Sequence, residues 1–128
     1  MQTGKQILVV DDLETATDNV VRILRHANYT DIDCLHSAVS ALSALRQKKY
    51  DLVITDTQMK PISGSELTKL IRVDGLSKIK IILIGLPGGD DEAFLDGADA
   101  YVTKPVEPRD LKEKVTDVLF TVTRLASG

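Results

Sequence analysis

Short runs of β-type apolar residues alternate along this chain with stretches in which apolar positions recur every three or four residues. Ile7-Leu8-Val9-Val10 is an unbroken apolar run, the pattern of a strand covered on both faces. Val20, Ile23, Leu24 and Ala27 then keep a helical period. Tyr29-Thr30-Asp31 predicts a turn, and residues 32–35 a weaker second strand. Ser37 is placed to cap a helix whose stripe is Ala38, Ala41, Leu42 and Leu45. Residues 52–55 read as a third strand. Ser63-Gly64-Ser65-Glu66 has capping-box spacing and opens a helix bearing Leu67, Leu70 and Ile71. Residues 79–84 form a fourth strand, and Gly85-Leu86-Pro87-Gly88-Gly89 continues neither strand nor helix. Asp90 is expected to cap a short helix ending at residue 95 or 96, stopped by Gly97. Residues 100–103 suit a last strand. Pro108 opens a final helix carrying Leu111, Val115, Val118, Leu119 and Val122.

Five strands alternating with five helical segments argue for an α/β domain, a parallel sheet with helices on both faces. At 128 residues the chain is read as one domain, residues 1–128, with enough length to bury a core. A formal net charge of −3 gives no basic footprint, so nucleic acid is not expected as a partner. No apolar run approaches a membrane span, and the N-terminus shows no signal-peptide pattern, so a cytoplasmic protein is expected. The single cysteine, Cys34, excludes an internal disulfide and reads as a small buried hydrophobe. His26 and His36 lack ligand-spaced partners and read as surface or loop residues.

The chemistry collects at strand ends. Asp11-Asp12 follows the first strand, Asp56 ends the third, and Lys104 follows the fifth. In a parallel sheet these ends share one edge, where open α/β sheets place their ligands. Crowded carboxylates repel one another and need positive charge among them. A hard divalent ion such as Mg²⁺ supplies it, and Lys104 adds a second cation able to reach a phosphate oxygen. Such a group fits a carboxylate nucleophile accepting a phosphoryl group. Singly, each residue has a plainer role: Asp56 as a turn former, Asp11-Asp12 as a helix cap, Lys104-Pro105 as a loop. Their joint occurrence after strands one, three and five favours the chemical reading.

These residues carry a resemblance. Ile7-Leu8-Val9-Val10-Asp11-Asp12, Tyr50-Asp51-Leu52-Val53-Ile54-Thr55-Asp56 with Met59, Pro61 and Gly64, and Gly97-Ala98-Asp99-Ala100-Tyr101-Val102-Thr103-Lys104-Pro105 resemble the receiver domain of two-component response regulators. The resemblance covers nearly the whole chain. It implies a flavodoxin-like sheet in the order 2-1-3-4-5, which general accounts of this fold illustrate with a chemotaxis regulator of the same family. It implies that Asp56 is phosphorylated by a histidine kinase or phosphotransfer protein, with self-catalysed transfer and autodephosphorylation. Asp12, Asp56 and the Gln58 carbonyl would ligate Mg²⁺, with Asp11 acting through water, and Lys104 would bind the phosphoryl group. Backbone amides of Thr57 and Leu86 are the candidates to contact that group. Lys104-Pro105 would be a cis peptide.

The chain also departs from the family. Gly85 stands where the fourth strand usually ends in Ser or Thr, and no hydroxyl occurs from there to Gly97. The fourth helix is expected to be short, marginal without tertiary support. Pro61 falls one residue later than usual. Tyr101 matches the aromatic switch position, but its hydroxyl partner is missing. The expectation is a readout through the loop at residues 86–91, with Tyr101 either part of the switch or packed on the surface.

Two readings follow. One is a phosphorylation-controlled, stand-alone signalling domain, with output through protein contact on the face of helix 4, strand 5 and helix 5. Residues 123–128 offer no effector, which favours a stand-alone domain over the receiver fragment of a longer regulator, the alternative kept open. The other is a pseudo-receiver that signals without phosphate. A haloacid-dehalogenase-type phosphatase would want an Asp-x-Asp pair after the first strand. Flavin or nucleotide binding would want a phosphate loop where Asp11-Asp12-Leu13-Glu14 stands.

Overall fold

The strands are Gln6–Val10 (β1), Asp31–Leu35 (β2), Leu52–Asp56 (β3), Lys80–Gly85 (β4) and Ala100–Thr103 (β5). The helices are Glu14–His26 (α1), Ala38–Gln47 (α2), Gly64–Val73 (α3), Asp90–Asp96 (α4) and Pro108–Phe120 (α5). This computed structural model describes residues 4–76 and 78–120. The sequence expectations for Val122 and for the 123–128 tail lie outside the described residues.

All strand pairs are parallel, and the order is β2-β1-β3-β4-β5, the flavodoxin-like arrangement. The period of two in each strand sends alternate residues to opposite layers. Ile7, Val9, Leu52, Ile54, Ile82, Ile84 and Val102 pack beneath α1 and α5, against Val20, Ile23, Leu24, Leu111 and Val115. Leu8, Val10, Val53, Ile81 and Leu83 face the other way, against Ala41 and Leu45 of α2, Leu67 and Ile71 of α3, and Ala93 of α4. Complete burial of each Leu or Ile stabilises the fold by roughly 1.5–3 kcal/mol. That explains why β1, β3 and β4 read as continuous apolar runs.

Register brings the functional edge level. Val10 lies beside Thr55, Asp56 beside Ile84, and Gly85 beside Thr103. The residues that follow β1, end β3 and follow β5 therefore meet along one rim.

Local signals mostly act as expected. Ser37 Oγ accepts from the Ser40 amide at 3.1 Å, and Ser63 Oγ accepts from the Glu66 amide at 3.0 Å. Gly97 closes α4 with φ +113°, a left-handed value that glycine adopts without strain. Lys104-Pro105 is cis, as the family resemblance implies, and Lys60-Pro61 is cis as well.

Two local expectations need correction. The turn after α1 lies at Ala27 and Asn28, where Asn28 has φ +72°; Tyr29 is core, not turn. Asp90 does not cap α4 but is its first residue. The Leu86 carbonyl accepts from the Gly89 amide at 3.3 Å and the Gly89 carbonyl accepts from Ala93 at 3.0 Å, so the helix starts from Gly89. α4 has seven residues, as short as expected.

Arg72 explains how so short a helix is held. Its Nε donates to the Gly97 carbonyl at 3.0 Å, and Nη1 donates to the Ile79 carbonyl at 2.7 Å. Nη2 pairs with Asp99 Oδ2 at 2.9 Å, and that carboxylate also accepts from the Ile81 amide at 2.8 Å. One guanidinium thus ties the end of α3 to the segments entering β4 and β5, a use of its rigid fork of donors.

Candidate functional site

Asp56 ends β3 and is only 6% exposed. Its Oδ2 accepts from Lys104 Nζ at 2.8 Å, and its Oδ1 accepts from the Gln58 amide at 3.0 Å. Across the edge Asp11 is also buried, with Oδ1 accepting from the Leu13 amide at 2.9 Å. Burial first, and then the charge of Asp56, pushes the Asp11 carboxyl up to about 6, against the lowering effect of the Leu13 bond. Two buried acids therefore face one another, with Lys104 paired to Asp56.

Asp12 is placed differently. Successive residues of an extended segment point to opposite sides, and with Asp11 turned inward the Asp12 side chain is exposed. Among the described residues no three Asp, Glu, His or Cys side chains are gathered to hold a metal ion. The site is thus a pair of facing carboxylates with Asp12 at its margin, rather than a finished cage. An oxygen-only donor set with excess negative charge, leaving room for water, fits Mg²⁺.

The Thr57 amide is not directed at the site. It donates to the Ile84 carbonyl at 2.9 Å, extending the β3–β4 ladder by one residue. It is the next amide, that of Gln58, that meets the carboxylate. The Gln58 amide is a donor that strand pattern alone could not locate, because the last ladder bond is a matter of register. At Leu86 it is the carbonyl that is engaged, accepting from both Tyr101 and Gly89.

Tyr101 lies inside rather than on the surface. It is 7% exposed, and its hydroxyl donates to the Leu86 carbonyl at 2.5 Å. Burial, and secondarily the charge of Asp90, pushes its phenol up, so it stays a donor at neutral pH. Gly85 makes this position available. A Cβ built on Gly85 would overlap the Tyr101 hydroxyl and sit 2.8 Å from Thr57 Oγ1. The departure at position 85 and the inward tyrosine are one packing arrangement.

The response regulator receiver domain model matches residues 7–116. The chain belongs to this family. Receiver domains are the signal-accepting modules of two-component systems, and this chain is one of them. It is 35% identical to the chemotaxis protein CheY1 of Helicobacter pylori, over 91% of this chain and 98% of that protein. It is 33% identical to the transcriptional regulatory protein YvrH of Bacillus subtilis, over 85% of this chain but 46% of YvrH. The receiver thus spans less than half of that relative and nearly all of the other. Among solved structures, a response regulator from Chloroflexus aurantiacus superposes with a TM-score of 0.84 at 29% identity, covering 90% of this chain and 97% of its own. No described helix is long and apolar enough to cross a membrane.

The raised Asp11 carboxyl makes a stability prediction with a definite sign. A carboxyl whose folded pKa lies above its unfolded value costs nothing below about pH 4. Its penalty grows as pH rises from 3.8 towards 6 and is complete above that. In metal-free buffer, Asp11→Asn should therefore stabilise the receiver by about 1–3 kcal/mol at pH 7, with the gain vanishing near pH 3.5. Urea melts at the two pH values check it. An equal gain at both would assign the effect to something other than ionisation.

Proposed function

We propose that Asp56 is the phosphoacceptor, taking its phosphoryl group from a histidine kinase or a histidine phosphotransfer protein in the cytoplasm. The observation that carries this reading is the buried Asp56 carboxylate held between Lys104 Nζ and the Gln58 amide, with Asp11 facing it. A carboxylate oxygen of Asp56 attacks phosphorus, the bond from phosphorus to the donor's imidazole nitrogen breaks, and that nitrogen keeps the electron pair and takes up a proton. Lys104 neutralises charge on the phosphoryl oxygens, and the Gln58 amide orients the carboxylate. Asp11, Asp12, Asp56 and the Gln58 carbonyl are the groups that would hold Mg²⁺. When bound, the ion offsets the charge of the acids and of the incoming phosphoryl group. Hydrolysis of the acyl phosphate by water would reset the domain.

Output is through protein contact at the face of α4, β5 and α5. Leu86, Phe94 and Leu95 are exposed at 53%, 49% and 88%, apolar side chains on and just before α4 that suit a protein partner. With no hydroxyl on residue 85, the signal would pass through the loop around Leu86, which Tyr101 already holds. A second reading, a receiver that signals without phosphate, is favoured by Gly85 at the position of the usual hydroxyl and by the seven-residue α4.

Incubation with Mg²⁺ and acetyl phosphate, followed by intact mass, separates the two. The expected result is one added phosphoryl mass in the wild type and none in Asp56→Ala. No added mass in the wild type supports the phosphate-independent reading instead, and mass retained in Asp56→Ala overturns Asp56 as the acceptor.

A further inference from the structure

The room left by Gly85 is shared by two hydroxyls, and they are not equivalent. Tyr101 donates its hydroxyl to the Leu86 carbonyl at 2.5 Å. Thr57 lies one residue beyond Asp56, and its side chain stands over Gly85. A Cβ on Gly85 would be 2.8 Å from Thr57 Oγ1 and 3.0 Å from Thr57 Cγ2, so Thr57 fills space that a residue-85 side chain would need. Thr57 is half-buried, and among the described residues its hydroxyl makes no hydrogen bond to protein. It lines a cleft of about 460 Å³ together with Gln58, Ser63, Leu86 and Tyr101.

We infer that Thr57 Oγ1 is the hydroxyl that binds the phosphoryl group on Asp56, replacing the one that position 85 cannot supply. The inference rests on Asp56 being the phosphoacceptor. Thr57 is pinned by its backbone amide to the Ile84 carbonyl at 2.9 Å, so its side chain projects from a fixed point at the sheet edge. A hydroxyl with no protein partner gives up little on meeting a phosphoryl oxygen, and a bond to a charged acceptor is among the stronger kinds. The tyrosine hydroxyl would first have to release Leu86. The chain thus moves the phosphate-reading hydroxyl from the end of β4 to the residue after β3, which leaves Tyr101 free to remain inward.

The test compares wild type with Thr57→Val, which keeps the shape and removes the hydroxyl, and Thr57→Ser, which keeps the hydroxyl. Each is titrated with beryllofluoride and Mg²⁺ and followed by fluorine NMR, with acetyl-phosphate labelling read in parallel by intact mass. The expected result is that Thr57→Val weakens beryllofluoride binding by about tenfold or more, while Thr57→Ser stays within about twofold of wild type. Equal binding by Thr57→Val and wild type overturns the inference, as does a loss in Thr57→Ser as large as in Thr57→Val. Should Thr57→Val not fold, Thr57→Ala in the same titration keeps the comparison. Failure of the wild type to bind beryllofluoride or take up phosphoryl mass would instead overturn the assignment of Asp56.

Discussion

Gly64→Ala is expected to destabilise the domain by about 3 kcal/mol or more and to displace Asp56. Gly64 is the first residue of α3, and a Cβ there would overlap the carbonyl oxygen of Asp56 and lie 2.7 Å from its carbonyl carbon. Thr55 Oγ1 is the next obstacle, at 3.0 Å. A side chain could rotate away from such a contact, but backbone at the end of a central strand cannot. The Gly64 amide also donates to the Thr57 carbonyl at 3.0 Å, and its carbonyl accepts from Thr68 Oγ1 at 2.8 Å, so α3 has little freedom to back off. Gly75→Ala supplies the contrast. Gly75 has φ +82° and open space around its Cβ position, so only backbone strain applies, worth roughly 1–2 kcal/mol. Chemical denaturation of both variants checks the ranking, and similar losses would show that crowding at Asp56 is not the cause. Folded Gly64→Ala should also take up less phosphoryl mass than wild type, because Asp56 moves with its carbonyl.

The second large effect is at Gly85. Gly85→Ala puts a methyl group where the Tyr101 hydroxyl lies and within 3.0 Å of Thr57 Cγ2. Tyr101 must move outward and lose its bond to the Leu86 carbonyl, or the end of β4 must shift. The expected loss is about 2–4 kcal/mol, from overpacking together with one hydrogen bond. Because much of the conflict is with a single oxygen atom, Tyr101→Phe should partly rescue it. Gly85→Ala is expected to cost at least about 1 kcal/mol less in the Tyr101→Phe background, a coupling that a double-mutant cycle measures directly. Strict additivity would mean that Gly85 and Tyr101 are not in contact. Tyrosine ring signals in NMR spectra of Gly85→Ala should report the outward movement.

These two glycines had different standing in the sequence. Gly64 was visible as part of a family motif, but its purpose was not, since the helix-opening pattern Ser63-Gly64-Ser65-Glu66 explains a start without requiring glycine. Gly85 stood out as a missing hydroxyl. What stands in its place could not be read from the chain, because Thr57, just after β3, and Tyr101, on β5, both reach that space from elsewhere in the sheet.

Much else was legible because it depends on short-range pattern. Apolar runs mark β1, β3 and β4 since both faces of those strands are covered. Ser37 and Ser63 announce helix starts because capping is a matter of adjacent backbone amides. The turn before β2 was misplaced by a residue or two because Tyr29 carries a polar group yet lies in the core. Arg72 gave no signal at all. Its partners Ile79, Gly97 and Asp99 are brought together only by the fold.

Alternation of strand and helix, a level rim of acids and a lysine, and Asp56 at its centre were set by the sequence itself, because hydrophobic period and parallel topology leave few other arrangements. The tertiary structure decided how that rim is wired. It turned Asp11 inward and left Asp12 exposed, gave Asp56 the Gln58 amide, and lodged Tyr101 over Gly85. Those outcomes turn on register and on side chains meeting across strands, distances that no local pattern encodes.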